Sequence, residues 1–287
     1  MPRPALVCLV ACLAFPAWAT DCPQHYAAGA PPVIVKASLR ARTQELCFEA
    51  FGVMHSGLSR TPLWSAEHLV RAEVDAAEQL IRRDSFHAEA RLPRQDRAEL
   101  TDYVRSGFDR GHMSPNGDLP DRTAQGESFS LANIVPQYHT PNAGVWAGIE
   151  AAVRNLAQHD GEVYVVTGPA FVGSEIASLK GRVLVPTHIW KVVYSPRQQA
   201  AGAYLITNEA DTTSYSAMTV TNLEELVGLQ LLPGVAQHVR DNGMVLPRPT
   251  KQGGSGKRRK GGPAPQVEYN LSDYAREAIE KLLKRFK

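Results

Sequence analysis

Cysteine is scarce in this sequence: four in 287 residues, at positions 8, 12, 22 and 47. No Cys-x-x-Cys pair occurs, so a cysteine-ligated metal site has no framework to start from. The nine histidines offer no His-x-x-x-His or similar pair, which removes the helical pattern of a zinc hydrolase. Past residue 19 no segment reaches the roughly 18 to 20 apolar residues of a transmembrane helix. There is no large excess of either charge, with 31 Lys+Arg against 29 Asp+Glu, so overall composition does not by itself point to a polyanion. The run "GGSGK" around Ser255 fails as a Walker loop, because the first Gly is missing at the required distance and Arg258 stands where Ser or Thr should follow Lys257. It fails as a nucleophile elbow too, since Lys257 takes the place of the second Gly. No internal repeat is visible.

What is present begins with "MPRPALVCLVACLAFPAWA": Arg3, an apolar run too short to span a membrane comfortably, and the small-x-small pattern Ala17-Trp18-Ala19. Residues 1–19 read as a secretory signal cleaved after Ala19, and the protein as exported, periplasmic or secreted. A lipobox at Leu9-Val10-Ala11-Cys12 would leave too short an apolar stretch before its cysteine. Cleavage leaves Cys22 and Cys47, which in an oxidising compartment are most simply a disulfide tying the new N-terminus to the globular body. It also leaves an uneven charge: residues 250–287 hold ten bases and four acids, residues 20–249 hold 20 bases and 25 acids.

Residues 20–249 read as the globular body, 250–266 as a basic flexible linker, and 267–287 as a C-terminal amphipathic helix. That helix has Ser272 as N-cap and an apolar stripe of Ala275, Ile279, Leu282, Leu283 and Phe286. Its simplest dock is the body, with a partner or a membrane surface as alternatives. Within the body, residues 64–83 predict a helix, or a strand that turns helical. Residues 161–172, 182–195 and 201–210 are rich in Val, Ile, Tyr and Thr and bounded by Gly, Pro and Asn; they predict strands in antiparallel succession. Residues 141–159 predict one helix, with Pro141 near its start and Val145, Ile149, Val153 and Leu156 on a stripe. The class is α+β.

Two dense polar stretches stand out. "DRGHMSPNGD" sets Asp109, Arg110 and His112 around Gly111, and "SLANIVPQYHTPNAGVWAGIE" brings Asn133, Gln137, Asn142 and Glu150. Asn142 and Glu150 are a little over two helical turns apart, so one helix can direct an amide and a carboxylate into one site, with Trp146 between them. The set suits phosphodiester hydrolysis with one hard metal ion. Mg²⁺ prefers oxygen ligands and keeps several waters, so the Asn142 amide oxygen can be a direct ligand and Glu150 can accept from metal-bound water. A neutral His112, with an ordinary pKa near 6.5, can take the proton of the attacking water. Arg110 can offset charge on the phosphoryl oxygens.

These stretches resemble the two signature blocks of the DNA/RNA non-specific endonucleases, the ββα-metal nucleases that include secreted bacterial nucleases and mitochondrial endonuclease G. The resemblance runs from roughly Gly57 to Pro247, and "VYVVTGPAF", "VPTHIWKVVY" and "LEELVGLQLLP" add to it. It implies a ββα-metal nuclease core on a mixed, largely antiparallel sheet with flanking helices, His112 on a β-hairpin and Asn142 on the helix that follows. Carried over residue by residue, it makes His112 the general base and Asn142 the single direct Mg²⁺ ligand, with Mn²⁺ as a substitute. Glu150 then holds the metal's water shell, and Arg110 and Asn133 stabilise and orient the phosphate. DNA and RNA are the implied substrates, 5′-phosphate ends the products. The sequence departs from the family pattern at Ile149, where Leu usually precedes Glu, and in "MSPNGD", where small residues more usually precede Asp118.

Plainer readings stand beside these. Asp109 reads as structural, bonding backbone or Arg, and Trp146 as core. His139 is the other histidine near the site, while His55, His68, His87, His159, His188 and His238 default to structural or surface positions. Arg60 is a phosphate contact or a surface Arg. Lys257, Arg258, Arg259 and Lys260 supply nonspecific phosphate contacts, a solvated linker, or attraction to anionic lipid. Two rival functions are a noncatalytic nucleic-acid-binding protein of the same fold and a phosphodiesterase acting on small or lipid diesters. A potent nuclease endangers its own cell before export, which leaves room for an inhibitor protein as partner; a homodimer is compatible with all of this.

Overall fold

The structure is a computed structural model and describes residues 20–249. The predicted signal segment (1–19), the predicted basic linker (250–266) with Lys257, Arg258 and Arg259, and the predicted C-terminal helix (267–287) lie outside the described residues.

The chain runs through two 3₁₀ turns to β1 (Val33–Ile34), then into a meander of β2 (Thr43–Cys47), β3 (Phe51–Ser56) and β4 (Thr61–Val70). Of the two readings of residues 64–83, the strand that turns helical is the observed one, because β4 passes directly into α1 (Arg71–Ala77). After α2 (Leu100–Tyr103) comes the part that carries the polar stretches: β5 (Asp109–His112), α3 (Arg122–Ser128) and β6 (Ile134–Gln137). A helical run follows, made of α4 (His139–Pro141), a π-turn over Asn142–Trp146, and α5 (Ala147–Asp160). The second half holds β7 (Glu162–Ala170), the short pair β8 (Ser178–Leu179) and β9 (Val183–Leu184), then β10 (His188–Ser195), β11 (Ala200–Thr207) and β12 (Ser216–Met218). Helix α6 (Val220–Val227), β13 (Leu229–Gln230) and α7 (Gln237–Asn242) complete it.

Seven strands form one sheet in the order β12-β11-β10-β7-β4-β3-β2, antiparallel at every pairing. The predicted strand over 182–195 is two pieces, β9 and β10, because Pro186 has no N–H for a ladder. Trp64, Ala66, Val166, Trp190 and Val192 pack on one side of the sheet with Leu223 of α6. On the other side α5 lays Ile149, Val153 and Ala157 on Val163, Val165, Ile189 and Val193. Each fully buried Val, Leu or Ile among them contributes about 1.5–3 kcal/mol. Helix α5 ends where Gly161, at φ 100°, takes a conformation that other residues rarely adopt.

Cys22 and Cys47 form the expected disulfide, with Cα atoms 5.7 Å apart. Closing a loop of 25 residues restricts the unfolded chain by about 3–4 kcal/mol. The bridge fastens the N-terminal turns to β2, where the Tyr26 ring meets Trp64 edge-on at 5.7 Å and its hydroxyl donates to Glu45 at 2.8 Å. Any Cβ at position 52 would lie 2.1 Å from that hydroxyl, which is why β3 carries Gly52 there. Glu45 and the two cysteines are the only three His, Cys, Asp or Glu side chains among the described residues whose ligand atoms lie within 4.8 Å of one another, and the two sulfurs are already joined to each other. No helix among the described residues is long and apolar enough to cross a membrane.

Candidate active site

The site is built on the β5–β6 hairpin and the helical run behind it. β5 and β6 pair antiparallel, Asp109 opposite Gln137 and His112 opposite Ile134. Strand alternation sends Arg110 and His112 to one face and Asp109 and Gly111 to the other. A Cβ on Gly111 would come within 2.2 Å of the Gln137 amide oxygen, so the glycine lets the buried Gln137 lie across the strand. Asn208 clamps the hairpin to the sheet: its oxygen accepts from the Tyr138 N–H, and its nitrogen donates to the Pro136 and Pro186 carbonyls.

His112 is buried between aromatic rings, 5.4 Å from Phe86 and 5.1 Å from Phe129 between centroids. Its Nε2 has no hydrogen-bond partner among the described residues. Burial first, then the Arg82 charge, push the imidazole down to about 3; Asp84 opposes and Arg110 adds. The ordinary pKa expected from sequence is therefore corrected: His112 is neutral throughout the physiological range, with a lone pair to offer. The Arg110 guanidinium lies over the Phe86 ring at 4.0 Å from its centre and is exposed.

The single helix predicted over 141–159 is longer and interrupted. Pro141 cannot donate and Gly144 leaves helical geometry at φ −104°, ψ −105°, so the backbone takes a π-turn at Asn142–Trp146. In an ideal α-helix eight residues would leave Asn142 and Glu150 about 80° apart around the axis. The wider π-turn, with more residues per turn, narrows that angle. Asp109 fixes Asn142: its Oδ2 accepts from the Asn142 Nδ2 at 2.9 Å and lies 2.8 Å from the His139 Nδ1. The plain reading of Asp109 as a partner of backbone or Arg is corrected accordingly. With its nitrogen held, the Asn142 amide presents its oxygen as a free acceptor.

Glu150 is half-buried one helical segment on. Burial pushes its carboxyl up to about 7; Lys191 draws it back down, Asp118 pushes it up, and Arg154 and Arg82 draw it down again. Beneath it lies a row of polar side chains on the α5 face of the sheet. Lys191, fully buried, donates to the Thr167 hydroxyl at 2.6 Å, stands 3.9 Å from Glu67, and lies 5.6 Å from the Trp146 ring centre. Neither carboxylate oxygen of Glu67 has a hydrogen-bond partner among the described residues, and burial raises its pKa well above the usual range, with the Asp118 charge acting the same way. Asp118 accepts from Arg154 of α5 at 2.6 Å through one oxygen; its other oxygen has no partner among the described residues.

Asn133 is committed elsewhere. Its oxygen accepts from the Ser114 N–H at 3.0 Å, and its nitrogen donates to the Ser114 and Ser128 carbonyls at 2.8 and 3.0 Å. That uses both amide hydrogens, so Asn133 shapes the loop after His112 and has no donor left for a phosphate. Asn116 of the unusual "MSPNGD" segment is likewise inside that loop, donating to the Gln125 carbonyl. Arg60 binds the Gln95 and Arg182 carbonyls. Trp146 is core, as its plain reading had it.

Sequence reasoning missed Arg82, Phe86, Glu67, Asp118, Arg154 and Lys191. The last had a visible signal, a lone charge at an inward position of the apolar strand "HIWKVVY"; so did Glu67 in "WSAEHLV". Arg82 stands at the end of the stretch read as helical and Phe86 in the aperiodic segment after it, and neither had one. Arg82, Arg110 and Asn142 line a cavity of about 360 Å³. Arg82 is also among the charges acting on both His112 and Glu150, so one cation links the imidazole, the amide and the carboxylate.

A model of the family described as DNA/RNA non-specific endonuclease matches residues 30–238. The chain belongs to that family. Its fold is that of the ββα-metal nucleases, and the family is one of divalent-metal-dependent nucleases. Nuclease C1 of Cunninghamella echinulata var. echinulata is 32% identical over 200 residues, 63% of this chain and 79% of that protein. The mitochondrial nuclease EXOG of Homo sapiens is 31% identical over 215 residues, 67% of this chain but 57% of that protein, so the chain spans little more than half of that relative. A crystal structure of an EndoG/EndoGI complex, concerned with EndoG inhibition, matches with a TM-score of 0.62 at 26% identity, covering 72% of this chain and 92% of that one.

Proposed function

We propose that this protein is an exported, Mg²⁺-dependent, sugar-nonspecific endonuclease that hydrolyses DNA and RNA to 5′-phosphate ends. The observation that carries the reading is a buried, neutral His112 together with an Asn142 whose amide is oriented by Asp109, with Arg82 lining the cavity beside Asn142 and acting through its charge on His112.

The residues fit a divalent cation. Burial holds the Glu67 and Glu150 carboxyls above their usual range beside Asp118, a state that a nearby cation would reverse by favouring their ionised forms. The available donors are amide and carboxylate oxygens, the kind Mg²⁺ prefers and Mn²⁺ accepts. Asn142 would hold the ion directly through its oxygen, and Glu150 would hold it through water. When bound, the ion supplies charge stabilisation to the phosphoryl group and to the leaving 3′-oxygen.

The chain's own groups do the rest. His112 accepts the proton of the attacking water. A bound phosphodiester brings negative charge against Arg82 and Arg110, the two cations that depress the imidazole, and so raises its basicity when substrate arrives. Arg110 and Arg82 offset charge on the phosphoryl oxygens. Asn133 acts as a positioning residue through the Ser114 loop. Lys257, Arg258 and Arg259 add phosphate contacts that weaken with salt. The inhibitor in the EndoG/EndoGI complex supports a cognate inhibitor protein as a partner here.

The test is incubation of the folded, oxidised protein with supercoiled plasmid and single-stranded RNA, with Mg²⁺ or with EDTA. Both substrates should be cut with Mg²⁺ and survive with EDTA. Survival of both with Mg²⁺ and with Mn²⁺ would overturn the reading.

A further inference from the structure

The cavity beside Arg110 and Asn142 has two walls of opposite character. One is polar, formed by Arg82, Asp109, Arg110 and Asn142. The other is apolar: Leu100, Tyr103, Val104 and Phe108, from α2 and the turn that leads into β5. None of these four takes part in the hydrolysis described above. Leu100, at 41% exposure, and Val104, at 56%, are two of only six large apolar side chains left exposed among the described residues. Apolar side chains gathered at the mouth of a cavity, rather than scattered singly, mark a binding surface.

Tyr103 lines the same cavity, 7% exposed, with its hydroxyl buried away from it. A volume of about 360 Å³ lies at the small end of ligand pockets and has room for one group of nucleobase size. The ligand that fits has a flat apolar face, polar edges, and a phosphate within reach of Arg110. Those are the parts of one nucleotide.

We infer that the cavity is a base subsite: the base of a nucleotide adjoining the scissile phosphate leaves its stack and lodges against Phe108, Val104 and Leu100, with its phosphate toward Arg110. The inference rests on the endonuclease reading. Every base has a π-face, so an apolar subsite takes any base and imposes no sequence preference. It does impose a structural one. A base inside an undistorted duplex must be extruded to enter, so single strands, ends and damaged duplexes are the favoured substrates.

The experiment is a cleavage ladder on an end-labelled single strand carrying one abasic residue. The unmodified protein should cut about tenfold less at the one phosphodiester whose missing base would occupy the cavity, on one side of the abasic residue only, as expected for losing one stacked base. Val104 is exposed, so Val104→Trp can fill the mouth of the cavity without disturbing the core; in that variant the protected linkage should disappear from the ladder. An even ladder through the abasic position overturns the base subsite alone, and a protected linkage that persists in Val104→Trp overturns its location. No ladder at all, with plasmid also uncut, overturns the endonuclease reading and the subsite together.

Discussion

The two faces of the seven-stranded sheet come from the same strands and differ by one residue in phase. Along β10, Trp190 and Val192 pack toward α6, while Ile189, Lys191 and Val193 pack toward α5. The first face is an apolar core of the ordinary kind. The second interrupts its apolar residues with Ser65, Glu67, Thr167 and Lys191, all buried, and sets Asp118, His112 and Glu150 above them. Burying such groups without full hydrogen bonding is costly. Glu67, Asp118, His112 and Gln137 all keep buried polar atoms without partners among the described residues. One face is arranged for stability, and the other gives up stability to hold charge in a fixed geometry.

The sharpest way to break that contrast is Lys191→Met. Removing the buried cation that draws on both Glu67 and Glu150 costs about 3 kcal/mol, and Glu150→Gln added to it should recover part of that loss above pH 7, where the Glu150 carboxyl is ionised. Urea unfolding measures both, and a loss typical of a surface lysine would mean that the faces do not differ as argued.

Glu89 tests whether the segment bearing Arg82 and Phe86 is held by charge. Burial raises its carboxyl, but bonds from Arg91 and Ser130 outweigh that and hold it down to about 2. A pKa below the unfolded value gives stability that is present above about pH 5 and lost as pH falls toward 2. Allowing for screening through the exposed Arg91, the contribution is about 2–3 kcal/mol at neutral pH. Glu89→Gln should unfold earlier in urea than the parent at pH 7 and no earlier at pH 2; equal losses at both would exclude an ionic origin.

On the apolar face, Val192→Ala should cost about 2 kcal/mol and leave plasmid cleavage per folded molecule unchanged. A drop in cleavage rate would show the two faces to be coupled. The smallest effect belongs to Asp109→Ala, which frees the Asn142 amide to turn. Metal affinity should fall about tenfold, as when an orienting partner of a ligand is removed. A Mn²⁺ titration of activity checks it, and an unchanged midpoint would remove Asp109 from the metal site.

Much of this was legible from sequence because it is local. The resemblance carried by the Asp-Arg-Gly-His and Asn-x-x-x-Trp-x-x-Ile-Glu blocks implied the hairpin, the apolar stripe predicted the helix, and Cys22 and Cys47 were the pair expected to bridge once residues 1–19 are read as a signal. The π-turn was not legible, since Gly144 and Pro141 signal a weak point in a helix but not which defect fills it. The commitment of Asn133 to Ser114 and Ser128 was hidden because an asparagine's role depends on which carbonyls fold around it. Lys191 and Glu67 are about 120 residues apart, and only the strand order β4-β7-β10 brings them together.

The most direct measurement is kcat/KM for supercoiled plasmid with Mg²⁺, for the parent and His112→Ala, at matched folded fraction by near-ultraviolet circular dichroism. A folded His112→Ala protein that has lost at least about 100-fold in kcat/KM is the predicted result. Cleavage by His112→Ala at the parent's rate would contradict the account at its centre.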